Sequence, residues 1–296
     1  MAHRFAAMMA PGIVDQIEKE TGQRIPPSSG RPVSGGCIHQ SAIFETEDGH
    51  SLFVKQNSAG ALPLFETEFR SLKWMASSET VRVPHPFCCG KVDQTAFFAM
   101  EALTLSNRSD SESNRRTGRA LARLHNVVGD RFGADLNNFI GATPQPNPWT
   151  DSWADFFTEH RLRHQFQLAA KRGRTFPEQE QLLRSVHSHL SSLDIEPSLL
   201  HGDLWGGNAS YDEKGEPVLF DPASYLGDRE ADIAFTRVFG GFGPGFYDAY
   251  RESHQEPEPI RTTIYNLYHI LNHYVLFGGG YANQAEGMMK EILQEL

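Results

Sequence analysis

Asp203, Asn208 and Asp221 are the residues whose types and spacing best suit them to chemistry. The first two lie in Leu199-Leu200-His201-Gly202-Asp203-Leu204-Trp205-Gly206-Gly207-Asn208; the third follows a short apolar run, in Val218-Leu219-Phe220-Asp221-Pro222-Ala223. A hydroxyl attacking phosphorus needs an acceptor for its proton, and Asp203 would be that acceptor. Magnesium ions that bridge nucleotide phosphates need hard oxygen ligands and take only a few from protein, a role for Asn208 and Asp221. Taken singly, His201-Gly202-Asp203 is an ordinary turn and Asp221 an ordinary loop acid. The ordered set, flanked by apolar residues on both sides, argues for function. His201 would support the loop. Asp232, near the start of the next helix, would accept hydrogen bonds from the loop amides and so hold Asp203 in place.

The order and spacing match the catalytic loop of kinases, H-R-D-x-x-x-x-N, followed by a strand and a metal-binding Asp. Such a loop needs a roof over the nucleotide, and the N-terminal third reads as one. Gly35-Gly36-Cys37-Ile38 is a glycine turn where backbone approaches phosphates without an intruding side chain. Ser41 to Phe44 is a strand, and Asp48-Gly49 turns it into Leu52-Phe53-Val54-Lys55. Lys55 would reach the α- and β-phosphates. From Phe65 to Met75 the apolar residues recur at helical spacing. An acid on that helix would pair with Lys55, Glu68 being the first choice and Glu66 the second. Val81 to Pro84 opens an extended stretch. The apolar run Ala96 to Met100 ends at Glu101, where the Glu101 carbonyl and the Leu103 amide would bond the adenine edge. Cys37 has two readings: a thiol activated by the phosphate loop, hence redox-sensitive, or a small buried side chain.

The 296 residues suit one large domain or two modest lobes; the kinase-like order divides them into an N-lobe over 1–102 and a C-lobe over 103–296. The C-terminal part reads as mainly helical, with helices over Thr117–Val128, Trp153–Ala170, Glu178–Leu190 and Ile260–Leu276, and another capped by Asp228. Ser106 to Ser113 is polar and reads as mobile. The irregular stretch from Asp130 to Trp149 is long enough to be functional, and part of the acceptor pocket is expected there. A formal charge of −10 argues against nucleic acid or anionic membrane as partner and leaves room for a cationic substrate. No apolar run approaches the roughly 20 residues that span a bilayer, and the first ten residues make a poor signal peptide. Three cysteines, two of them adjacent, form no disulfide framework. A cytoplasmic enzyme is expected.

Gly35-Gly36-Cys37-Ile38, His201-Gly202-Asp203-Leu204-Trp205, Asp221-Pro222-Ala223-Ser224 and Phe239-Gly240-Gly241-Phe242 occur in that order. With the segment from Trp153 to Leu162, they resemble the fructosamine kinase (ketosamine-3-kinase) family, in the aminoglycoside-phosphotransferase-like branch of the kinase fold. The resemblance runs from about Val33 to Lys290. It implies an α+β, two-lobed protein-kinase-like fold: a small N-lobe with an antiparallel sheet and a helix, and a larger, mainly helical C-lobe. It further implies ATP and Mg²⁺ as cofactors and phosphorylation of the 3-hydroxyl of ketosamines, free or protein-bound, with later release of the amine. By position Asp203 corresponds to the catalytic acid, Asn208 and Asp221 to the metal ligands, and Lys55 and Glu68 to the conserved ion pair. Trp205 would stack on the sugar. Gly202 replaces the usual Arg, and Pro222-Ala223 the Phe-Gly, of protein kinases. The expected state is a monomer or a weak homodimer, linked through Cys37 if oxidised. Two rivals stay open: an aminoglycoside, choline or homoserine kinase of the same branch, and a non-catalytic nucleotide-binding protein.

Overall fold

The computed structural model describes residues 9–26, 29–33, 39–106, 110–255 and 257–296. Gly35, Gly36 and Cys37, and with them the phosphate turn and the redox thiol, lie outside the described residues. Strands β1 (Arg31–Val33), β2 (Gln40–Glu45), β3 (Ser51–Ser58), β4 (Pro86–Val92) and β5 (Thr95–Glu101) form an antiparallel sheet in the order β1-β2-β3-β5-β4. Side chains alternate across a pleated strand. In β3, Leu52 and Val54 are therefore buried on one face, while Phe53 and Lys55 point to the other. Helix α1 (Ile13–Thr21), with left-handed glycines at both ends, covers the first face and sets Ile13 and Ile17 against Leu52, Val54, Phe97 and Ala99. Helix α2 (Leu62–Ser77), with Pro63 in its first turn where no N–H is missed, covers the second.

The remainder is mostly helical: α3 (Ser111–His125), α4 (Trp153–Phe157), α5 (His164–Lys171), α6 (Gln179–Ser191), α7 (Glu230–Phe235), α8 (Pro244–Tyr250), α9 (Pro259–Phe277) and α10 (Tyr281–Glu295). Helices α4 and α5 are joined by a π turn over Thr158–Arg163, so the single helix expected over Trp153–Ala170 is locally underwound. Among the described residues three two-stranded ladders complete the strands: β6 (Asn138–Ile140) with β7 (Thr143–Gln145), β8 (Ser198–Leu199) with β11 (Leu226–Gly227), and β9 (Ala209–Tyr211) with β10 (Pro217–Leu219). One core lies among α4 to α7, α9 and α10. A second joins the two parts of the chain, packing Phe65, Leu72, Met75 and Phe98 against Leu121, Leu124, Leu199, Leu204 and Leu219. The leucines on either side of Asp203 are thus anchored beneath α2.

Two local expectations differ from what is observed. Helix α3 starts at Ser111, well before Thr117, because the Asp110 carboxylate accepts the Ser113 amide at 2.7 Å and caps it; part of the polar stretch read as mobile is helical. Asp228 lies just ahead of α7 and accepts the Glu230 amide at 3.0 Å, while its carboxylate also pairs with Arg261 and the Tyr265 hydroxyl. In the extended stretch opened by Val81, Arg82 forms an isolated bridge to Val218, and regular strand pairing begins at Pro86.

His269, on α9, is buried and stacks on Phe235 with ring centroids 3.6 Å apart. Burial pushes its pKa from the ordinary 6.5 down to about 3. As the pH falls below about 6.5, the unfolded chain takes up a proton here that the folded chain refuses, so stability is lost across that window. At pH 5.5 this one group accounts for about 1.4 kcal/mol. Urea unfolding at pH 7.5 and 5.5 should show the loss in the wild type and a loss smaller by about that amount in His269→Phe. An identical loss in both proteins would contradict the assignment.

Candidate active site

Lys55 projects from β3 into the space between the sheet and the C-terminal helices. Its Nζ lies 2.8 Å from Glu68 Oε1 and 2.6 Å from Asp221 Oδ1. Glu68 stands on the inner side of α2, whereas Glu66, the second choice, is exposed. Burial opposes the Lys55 charge, but the two carboxylates outweigh it and push its pKa up. Glu68 is pushed up to about 7 by burial, against the pull of Lys55. Asp221 is held below the ordinary carboxylate value, since Lys55 outweighs the cost of its burial. It also adopts the left-handed region at φ 54°, a conformation that aspartate tolerates better than most residues and that marks functional sites. Half of its side-chain surface is open to the cleft.

The loop carrying Asp203 is fixed mainly through backbone. Asp232 Oδ2 accepts the His201 amide at 2.7 Å, and Oδ1 accepts the Gly202 amide at 2.9 Å. His125 donates from Nε2 to Asp232 at 3.2 Å, and its Nδ1 meets the Tyr250 hydroxyl at 2.7 Å. The His201 ring is fully buried and bridges the segments that carry Asp203 and Asp221: its Nδ1 accepts the Asp203 amide at 3.2 Å, and its Nε2 donates to the Phe220 carbonyl at 3.1 Å. Burial lowers its pKa, which keeps the ring in the neutral form these two bonds require. Gly202 has φ 82°, and a Cβ there would stand 2.1 Å from the Ala223 carbonyl oxygen. The glycine in place of the arginine of protein kinases thus answers a close approach of two backbones.

Asn208 donates from Nδ2 to the Asp203 carbonyl at 2.8 Å and to its carboxylate at 3.2 Å. Its amide oxygen is then the atom it can offer a cation. Burial raises the Asp203 pKa well above its ordinary value; the Asp221 charge adds to this and the Asn208 bond opposes it. All three residues line one cleft of about 780 Å³, together with Lys55, Glu68, Glu101, Leu103 and Trp205. The Trp205 indole is partly exposed and lies over Gly207, where any Cβ would collide with the ring. At the opposite end, the Glu101 carboxylate pairs with Arg82 and accepts the His85 amide at 3.0 Å.

The stretch from 130 to 149 contributes Asn138, Phe139 and Gly141 to the cleft. Asn138 offers little to a ligand: its Nδ2 donates to the Ser224 carbonyl, and its Oδ1 accepts from Gln145 and Asn147. A residue that the sequence reading passed over, Arg161, holds this hairpin. Its guanidinium is fully buried in the π turn, lies 4.2 Å from the Tyr225 ring and donates to Pro146 O and Asn147 Oδ1, both at 2.6 Å. Its place in the Trp153–Leu162 segment was legible, but its burial was not, since arginine is rarely buried. His39, Ser41 and Ile43 also line the cleft, on one face of β2 and its N-terminal approach. Their alternation was the available signal.

The family model described as fructosamine kinase matches residues 9–295. The chain is 45% identical over 285 residues to a probable ketoamine kinase of Synechocystis, covering 95% of this chain and 96% of that protein. It is 36% identical over 272 residues to a chloroplastic protein-ribulosamine 3-kinase of Arabidopsis thaliana, covering 89% and 82% respectively. A crystal structure from Haemophilus somnus, described as that of a fructosamine-3-kinase, superposes with a TM-score of 0.87 at 28% identity, covering 98% of this chain and 99% of that one.

Gly202→Ala tests whether the loop geometry matters to turnover. The new methyl must push the Asp203 loop away from Ala223, and a displacement near 1 Å costs on the order of 100-fold in rate. Turnover should fall by at least about tenfold while ATP affinity stays near that of the wild type. Unchanged turnover would show that the close approach is unimportant.

Proposed function

The chain belongs to the fructosamine kinase family and is a phosphotransferase acting on a sugar hydroxyl; from that premise we propose that it transfers the terminal phosphoryl group of ATP to the 3-hydroxyl of ketosamines, free or protein-bound. One observation carries the reading. Asp203, restrained by Asn208, shares a cleft with the cationic Lys55 and the partly open carboxylate of Asp221. A proton acceptor and a phosphate-binding set thus stand at one ligand-sized space, as phosphoryl transfer requires.

In this reading the adenine edge meets the backbone at Glu101 and Leu103, and Lys55, steadied by Glu68, neutralises phosphate oxygens. Asn208 and Asp221 would hold magnesium, which fits their hard oxygen atoms and the open face of the Asp221 carboxylate. When bound, the ion would supply positive charge that offsets the phosphate oxygens and the Asp221 carboxylate. Asp203 orients the sugar hydroxyl and takes its proton. Its raised pKa makes it a better acceptor than an ordinary aspartate, provided it is ionised. Trp205 offers an aromatic face to the sugar. The amine of a ketosamine is cationic near neutral pH; with Asn138 engaged, its acceptors are the cleft carboxylates and hairpin carbonyls. Phosphorylation of such an adduct would lead to its breakdown and release of the amine, a repair of glycated amines. Free thiols at Cys88 and Cys89 favour a reducing compartment such as the cytoplasm. Among the described residues no helix is long and apolar enough to cross a membrane.

An ATP-consumption assay against amines derived from fructose, ribulose and erythrulose tests the substrate class. Fructosyl-lysine or ribulosyl-lysine should turn over far faster than fructose, because the sugar alone leaves polar groups unpaired. Equal rates with fructose, or stimulation by aminoglycosides in place of ketosamines, would overturn it. Asp203→Asn should fold, bind Mg·ATP and lose about 10²- to 10⁴-fold in turnover. Near-normal turnover would remove Asp203 from its role.

A further inference from the structure

We propose that His39 is a further nucleotide-binding residue, whose Nε2–H donates to an oxygen at the distal end of the ATP triphosphate. The inference deepens the phosphotransferase reading and rests on it. Strands β2 and β3 pair Ser41 with Lys55 and Gln40 with Gln56, so one more step puts His39 opposite Asn57. Alternation sends Ala42 and Phe44 into the core and leaves His39, Ser41 and Ile43 facing the cleft.

The hydrogen-bond pattern fixes the proton on the ring. Asn57 Oδ1 accepts the Ser58 amide at 2.7 Å, which orients the Asn57 amide. Its Nδ2 is then the atom 2.9 Å from His39 Nδ1, and an amide nitrogen can only donate. Nδ1 is therefore the acceptor, and the hydrogen of the neutral ring sits on Nε2. The ring is held in place by Phe65 of α2, with centroids 4.9 Å apart. No described residue accepts from Nε2. Burial and the neighbouring Lys55 charge both lower the pKa of this imidazole, so the donor is neutral near pH 7.

Position along the sheet says which part of the ligand it meets. Leu52 of β3 pairs with Glu101, Lys55 follows three residues on, and Asn57 lies two further. At about 3.3 Å per residue, His39 stands roughly 7 Å past the Lys55 position on the side away from Glu101. With adenine at Glu101 and the α- and β-phosphates at Lys55, the group reaching this point is the distal phosphate. A neutral N–H facing an anionic oxygen makes a charge-assisted bond without adding a second fixed cation beside Lys55.

Calorimetry on the full chain with ATP, ADP and AMP in the presence of magnesium provides the test. His39→Phe keeps a ring against Phe65 and removes the donor. It should weaken ATP binding about 10- to 100-fold, as expected for a bond to a charged group, and leave AMP binding within about twofold. His39→Gln restores a side-chain N–H and should recover most of the ATP affinity. The proposal is overturned if His39→Phe binds ATP as the wild type does, if it loses ATP and AMP affinity equally, or if Gln fails to rescue. Failure of the wild type to bind ATP would overturn the phosphotransferase reading together with this inference, whereas tight ATP binding by both wild type and His39→Phe removes only the role of His39.

Discussion

One ammonium shared between two carboxylates from opposite walls of the cleft is the interaction on which the rest of the structure depends. Lys55 comes from the sheet, Glu68 from the helix behind it, and Asp221 from the floor, 166 residues further along the chain. Taking a lysine this far out of water is costly, and the structure tolerates it only because both acids are within hydrogen-bond reach. That reach demands that α2 lie flat against the sheet, which Phe65, Leu72 and Met75 enforce by packing onto Phe98 and the leucines around Asp203. The apolar core shared by both parts of the chain is thus what makes the charge arrangement possible. Removing either acid would leave a buried cation half-compensated and loosen the register between roof and floor.

The floor solves a related problem with fewer charges. Asp203 must stay in a fixed place while burial, and after it the charges of Asp221 and Asp232, raise its pKa. Its position is set by neighbours' backbone and not by a counter-ion: Asp232 grips the two amides just before it, and His201 ties its own amide to the segment bearing Asp221. Asp232 is buried, yet the His125 bond, the two nearby histidines and the Gly202 amide together outweigh the burial cost and hold it below the ordinary carboxylate value. A buried carboxylate committed to two amides and a histidine is a stiff support. Such rigidity suits chemistry in which positioning supplies most of the rate.

Much of this was legible before any coordinates. The spacing of Asp203, Asn208 and Asp221 marked the floor, and the helical period after Phe65 put an acid within reach of Lys55. These are local patterns of a few residues with a chemical reason behind each. What the sequence hid depends on contacts between distant segments. Nothing near Gly202 announces that Ala223 crowds it, and nothing near Arg161 announces that three aromatic rings and two loop oxygens will enclose it. The early start of α3 was missed for another reason: its first turn is polar, and the capping carboxylate of Asp110 outweighs the weak helical preference of the serines beside it. The sequence likewise does not show that burial pushes the vicinal thiols up, Cys88 to about 12 and Cys89 to about 11, which leaves both poor nucleophiles.

We propose that in the ternary complex the carboxylate of Asp203 faces a sugar hydroxyl while Lys55 and Asp221 face the phosphates across the same cleft. A crystal structure of the protein with an unreactive ATP analogue, magnesium and fructosyl-lysine tests it most directly. The sugar 3-oxygen is expected within about 2.6–3.2 Å of an Asp203 carboxylate oxygen, on the side facing the terminal phosphate. A complex with both ligands seated but with that hydroxyl out of reach of Asp203, or with the phosphates away from Lys55, would contradict it.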